Sequence, residues 1–187
     1  MKEQDLKNKI IKYSYEHQMT HLGSNLTAVG IIQEIYEKKK HDDKVVISAG
    51  HYHLAHSVVA GLIPGVHCDK ELGCDISTGS LGMGISISVG LALADRTKNV
   101  WCLISDGEAS EGVVFESLRV AQEQNLTNLK VYCNANGYGA FKEIDVDLLE
   151  KRLNAFFPVK VIRTHTEGLA DHYRLVTEEE YGKITNK

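Results

Sequence analysis

The chain has 187 residues, is 43% hydrophobic and carries a formal charge of -4, from 21 Lys plus Arg against 25 Asp plus Glu. That length supports one sizeable core and is short for two full domains. The charge balance gives no basic surface for nucleic acid, and Lys38-Lys39-Lys40 reads as the solvated end of a helix.

Residues 3–18 read as an amphipathic helix with Leu6, Ile10, Tyr13 and His17 on one face. A second helix follows over 26–39, with Val29, Ile32, Ile35 and Tyr36 turned inward, and Asp42-Asp43 ends it. Together they form a helical amino-terminal segment over about residues 1–40 of a single 1–187 domain. Residues 45–47 are a short strand and 52–62 a helix closed by the glycines at 61 and 65. Residues 79–84 form a turn, and 85–93 a helix of small residues. That apolar stretch is too short to span a bilayer, and the charged start does not resemble a signal peptide. From residue 100 the order becomes strand 100–104, helix 113–124, strand 129–133, helix 145–155, strand 159–163. This alternation predicts an α/β fold, a central parallel sheet flanked by helices. A last short helix over 177–184 has Thr177 as cap and Glu180 three residues on.

Cys102 and Cys133 sit inside strands, and Cys68 and Cys74 have no second cysteine pair to complete a recognised zinc pattern. Four such thiols fit a reduced, cytoplasmic protein. Of the nine histidines, His17, His41, His53, His56 and His165 receive no role. In SDGEASEG, residues 105–112, acidic side chains leave an apolar strand at once, and burying them is costly without a cation or a partner. Asp106 follows one strand, and Asn134 and Asn136 follow the next, so the topology can bring them together at the carboxyl ends. A carboxylate and an amide oxygen suit magnesium or calcium, and the amides near Gly107 and Gly112 suit a phosphate.

These residues carry a resemblance to the amino-terminal, thiamine-diphosphate-binding half of the transketolase family. SDGEASEG and CNANGYGAF resemble its GDG motif and the later D-x-N setting, with Asp106 and Asn136 thirty positions apart. THLGS at 20–24, DDKVVISAGH at 42–51, STGSLGMGISISVGLALA at 77–94 and DHYRLVTEEEY at 171–181 resemble further family segments in the same order. Ser105 and Asn134 stand where the motifs have Gly and Asp, and only THTEGLAD, 164–171, links the last strand to the late histidine.

The resemblance implies the thiamine-diphosphate-binding fold, with thiamine diphosphate and magnesium as cofactors, calcium being a possible substitute. Asp106, Asn136 and the Tyr138 carbonyl would be metal ligands. His51, Ser80, Leu81, Gly82, Gly107, Asn136 and His172 would hold the cofactor. His21 and His67 would face the substrate, with Gly23 permitting a tight backbone beside His21, and Glu111 would join an acidic network at a subunit contact. No glutamate in the chain matches the one that activates the aminopyrimidine, which belongs to the family's other domain. The expectation is therefore the amino-terminal subunit of a split transketolase-like enzyme, inactive alone. With a separately encoded pyrimidine-binding, carboxy-terminal subunit, in a 2+2 assembly, it would move a two-carbon ketol unit between sugar or sugar-phosphate substrates. The alternatives are a deoxyxylulose-phosphate-synthase-like carboligase subunit and a non-catalytic regulatory or structural partner.

Overall fold

The computed structural model describes residues 1–139, 142–166, 168–169 and 171–185. Ala140 and Phe141 of the CNANGYGAF stretch, and Glu167 and Ala170 of the THTEGLAD link, lie outside the described residues. Four strands, β1 (Lys44–Ile47), β2 (Val100–Ser105), β3 (Leu129–Ala135) and β4 (Val159–Arg163), form one sheet in the order β1-β2-β3-β4. Every pairing is parallel.

The strand sequences explain why helices cover both faces. Successive side chains of a strand point to opposite faces. Val45, Ile47, Trp101, Leu103 and Tyr132 pack into one cluster with α1 (Glu3–Glu16), α2 (Leu22–Lys38) and α3 (His53–Ala60). Val46, Cys102, Ile104, Val131 and Cys133 pack into the other, with α4 (Met83–Ala94), α5 (Gly112–Glu123) and α6 (Val146–Phe156). Strands buried on both sides lose polar alternation, as VVI, VWCLI and VYC do. The strands lie in chain order, and crossovers of one hand then place α5 and α6 on the same face. A last helix, α7 (Glu178–Thr185), packs on α1, where Tyr181 stacks on Tyr15 at 4.3 Å.

Two details tighten this frame. Asp43 is buried and accepts hydrogen bonds from the Lys40 and Asn99 amides and from Trp101 Nε1 at 2.9 Å. These donors hold its carboxyl down to about 2, although burial alone would raise it. Asp43, in the turn after α2, thus fixes the start of β1 against β2. The small residues of α4 allow the second close fit. A Cβ at Gly84 would lie 2.5 Å from the Ser48 Cα, so only glycine lets α4 lie directly on the end of β1.

The helix over 26–39 begins four residues earlier than expected, at Leu22. Gly23 and Ser24 already belong to its first turn, and the left-handed conformation falls on His21, with φ of 61°. The short helix after residue 177 is capped as its sequence implies: Thr177 Oγ1 accepts from the Glu180 amide and Glu180 Oε2 accepts from Thr177.

Candidate functional site

The carboxyl ends of β1, β2 and β3 open onto a cavity of about 290 Å³. Asp106 lies at its floor, one residue beyond β2, and is 2% exposed. Its carboxylate is met by backbone alone: Gly107 N donates to Oδ1 at 2.9 Å and Gly137 N to Oδ2 at 2.6 Å. No ion pair among the described residues includes it. Burial pushes its pKa up, and the backbone amides pull it partly back. Ser105, in place of a glycine, needs no special backbone angle. It ends β2, and its Oγ accepts from the Glu108 amide at 2.9 Å, closing the turn that follows.

The second loop arrives from β3. Asn136 Oδ1 accepts from the Tyr138 amide at 3.0 Å, and Ile144 N bonds to the Gly137 carbonyl, folding the loop back on itself. This puts the Tyr138 carbonyl 3.6 Å from where a Cβ on Gly107 would stand. Asp106, Asn136 and Tyr138 therefore line one cavity. Asn134 is turned away from it. Its amide donates to Thr27 Oγ1 and Tyr52 OH and accepts from Thr164 Oγ1, fully buried.

Imidazoles form the opposite wall. His21, His51, His67 and His172 all line the cavity. The His21 ring lies 5.0 Å from that of His51 and 5.7 Å from that of His172. His21 N donates to the His172 carbonyl at 2.7 Å, which helps hold its unusual backbone. Asn25, 2% exposed, ties the wall together: its side chain donates to the carbonyls of His21 and His51 and accepts from Ala55 N. Burial first, and neighbouring imidazoles second, lower both His21 and His51, the latter to about 3. His21 and His51 are therefore neutral near pH 7, donors and acceptors rather than positive charges.

The remaining expected residues fall around this core. Leu81, Gly107 and Glu111 line the cavity, and Glu111 is exposed where α5 begins. Ser80, exposed, and Gly82, buried, flank Leu81 but are not among the lining residues. The Gly107 amide is engaged by Asp106, and the Gly82 amide, at φ of 83°, donates to Glu108 Oε1 at 2.6 Å. Glu108 had no role in the sequence reading. It is fully buried and also accepts from Ser48 Oγ at 2.6 Å, while its Oε2 has no hydrogen-bond partner. Asn25 carries no motif, and Glu108 lies inside SDGEASEG, where the attention fell on Asp106 and Glu111. A larger cavity, about 810 Å³, opens at the other end of the sheet among Leu126, Leu129, Phe157 and Val159, away from all these residues.

The sequence model of the family described as transketolase, thiamine diphosphate binding domain, matches residues 50–157. Transketolase of Homo sapiens is 30% identical over 146 residues, covering 64% of this chain and 23% of that protein. The 6-deoxy-6-sulfo-D-fructose transketolase subunit SqwG of Clostridium sp. (strain MSTE9) is 33% identical over 100 residues, covering 50% of this chain and 34% of the subunit. Among solved structures, transketolase from Leishmania mexicana superposes with a TM-score of 0.68 at 18% identity, over 100% of this chain and 41% of that one. A transketolase mutant from Pichia stipitis gives 0.74 at 18% identity, over 98% and 40%. The chain thus spans less than half the length of each protein it resembles, and the structural matches speak to fold alone.

Proposed function

Since the chain belongs to the transketolase family, through its thiamine-diphosphate-binding domain, we propose that its cavity holds the metal-diphosphate end of that cofactor. The observation that carries the reading is Asp106: a buried carboxylate with backbone partners only, lining one cavity with Asn136 and Tyr138. Three hard oxygens from two adjacent loops suit magnesium, whose other positions go to phosphate and water. The donor set therefore fits the group, and a cation would relieve the desolvation that raises Asp106.

Bound there, thiamine diphosphate supplies carbanion chemistry at its thiazolium carbon. The chain's own residues bind and orient. Asp106, Asn136 and Tyr138 hold the metal. His51 and His172 would meet the cofactor's phosphates, and Ser80, Leu81, Gly82 and Gly107 would help to hold it. His21 and His67 face the sugar, where the His21 imidazole, lowered by burial and by its neighbouring imidazoles, can accept or return a hydroxyl proton. Glu111 projects at the mouth of the cavity toward a second subunit.

The working enzyme on this reading is a heteromer of this chain with a pyrimidine-binding subunit, two copies of each. It transfers a two-carbon ketol unit between sugar or sugar-phosphate substrates. Two observations support a partner. A relative is itself described as a transketolase subunit. Around the cavity, large apolar side chains stand exposed, Tyr138 at 39% and Tyr173 at 78%, with Met83 at 49% on the neighbouring helix.

The test is calorimetric titration of thiamine diphosphate with magnesium into the complex, beside a ketose-plus-aldehyde turnover assay. Asp106→Ala is expected to abolish binding and turnover together, and the wild-type chain to turn over only with its partner. Unchanged cofactor affinity in Asp106→Ala, or full turnover by the single chain, overturns the reading.

A further inference from the structure

A second group of ligating side chains lies outside this cavity. His53 and His56 sit one turn apart on α3, and Cys68 and Cys74 come from the long connection between α3 and α4. One ligating atom from each falls within 4.8 Å of every other. All four residues are buried, at 0%, 2%, 3% and 8% exposure.

The orientation is as specific as the proximity. Cys74 Sγ lies 3.4 Å from His53 Nδ1 and 3.7 Å from His56 Nδ1. In a tetrahedral zinc site with the usual Zn–S and Zn–N bonds, S and N ligands stand roughly 3.6 Å apart. The outer ring nitrogens are already spoken for. His53 Nε2 lies 2.9 Å from the Ile63 carbonyl, and His56 Nε2 lies 2.7 Å from Tyr36 OH. A carbonyl can only accept, so His53 carries its proton on Nε2 and turns a bare Nδ1 inward. Metal-bound histidines show this pattern, with the outer N–H held by a carbonyl or another oxygen.

We propose that His53, His56, Cys68 and Cys74 form a closed four-coordinate site for a divalent thiophilic cation, zinc by preference. Two thiolates and two imidazoles favour zinc over magnesium or calcium, and four protein ligands leave no position for substrate. Binding releases the two thiol protons and neutralises the cation with two thiolates. The site is a staple. Residues 61–82 join α3 to α4 with one three-residue helical turn, Lys70–Leu72, as their regular structure. A connection that long is seldom ordered without some anchor. The cation would pin it to α3 at two points, one of them next to His67. Cys68 and Cys74 still have no second cysteine pair; on this proposal the partners are two histidines on a helix, to which the sequence reading gave no role.

The test uses the full chain, prepared with a thiol reductant and no chelator, and does not depend on the cofactor reading. Elemental analysis is expected to give one zinc per chain. Exchange with cobalt is expected to give the visible bands of a tetrahedral ion and a near-ultraviolet thiolate charge-transfer band. Cys74→Ser should lose both. Tyr36→Phe, which leaves the ligands in place, should keep the fold and bind zinc about tenfold to a hundredfold more weakly. Should Cys74→Ser fail to fold, the wild-type cobalt spectrum and the Tyr36→Phe affinity still decide. Protein without stoichiometric metal, whose melting temperature is unmoved by zinc or chelator, overturns the proposal. So does an intact mass two hydrogens short under non-reducing conditions, which would mean a disulfide between Cys68 and Cys74.

Discussion

Glu108 caps a helix that begins elsewhere in the chain. The first amides of α4 have no partners within the helix. Gly82 N, at the cap, donates to Glu108 Oε1, and Ile85 N donates to Ser48 Oγ, whose own proton goes to the same Oε1 at 2.6 Å. One carboxylate oxygen thus serves the end of β1, the turn before α4 and, through Ser48, the third residue of the helix. A negative charge at that end also suits the helix dipole. Hydrogen bonds to a charged group contribute about 1.5–3 kcal/mol each, so the two direct bonds give about 3–6 kcal/mol. Part of this offsets the desolvation that raises the pKa of Glu108. A net loss of about 2–4 kcal/mol is expected for Glu108→Ala, since two donors are then left buried and unpaired. For a chain of this size each kcal/mol moves the melting temperature by about 2–4 °C, which gives a fall of roughly 5–15 °C.

Glu108→Gln separates the cap from the charge. Its oxygen still accepts from both Ser48 and Gly82, and its amide replaces an oxygen that already has no partner. It should lie clearly between wild type and Glu108→Ala. Thermal unfolding at neutral pH, followed by circular dichroism, measures the three variants on one scale. Glu108→Ala melting within about a degree of wild type would refute the argument, and so would Gln costing as much as Ala.

Gly84→Ala should cost about 1–3 kcal/mol by pushing α4 off Ser48, while Gly90→Ala, with nothing within 4 Å, should gain about 0.5–1 kcal/mol in helix propensity. Urea midpoints check both, and equal effects at the two positions would contradict the packing described for α4. Stability should fall as pH drops below 6.5 toward about 3, because the unfolded chain protonates its histidines while folded His51, lowered to about 3, does not. His51→Gln should flatten that slope between about pH 6.5 and about pH 3, and an unchanged slope in the variant would place the acid sensitivity elsewhere.

The sheet was legible because a strand buried on both faces leaves an unmixed apolar run, as VWCLI and VYC do, and these runs alternate with amphipathic helices. The run VVI was readable as a strand, but its place at the sheet edge beside β2 was not, since a 3-residue pattern carries no pairing information. Asp106 was legible from cost: an acid directly after a buried strand needs a reason. The start of α2 was missed because THLGS looks like a loop, whereas the irregular backbone is confined to His21 and is held by the His172 carbonyl from a segment 150 residues away. Asn25, Ser48 and Glu108 act through partners distant in sequence, and no local period reports such contacts. The four-residue cluster was hidden for a related reason. His53 and His56 have ordinary helix spacing, and Cys68 and Cys74 lie twelve and eighteen residues beyond His56.

The two clusters are joined by backbone, which gives the proposed staple a bearing on the cavity. His51 lies in the turn Gly50–Tyr52 that leads into α3, and His53 is the first residue of that helix. His67 and Cys68 are likewise adjacent, and Cys68 N donates to the Gly50 carbonyl while its own carbonyl accepts from Thr78 N. Two of the four wall histidines are therefore one or two residues from a ligand of the proposed site. Neighbouring residues of a chain cannot move independently, because only two soft dihedrals separate them. His67 is exposed, with no packed core of its own to fix it. Its position must come from Cys68, and a cation shared with His53 would set the His67–His51 separation from behind the wall. In Tyr36→Phe the loss should then appear at the histidine wall as well as in the metal count. The order of His51 and His67 would weaken while Asp106 and its amide partners, just beyond β2 and β3, stay as they are.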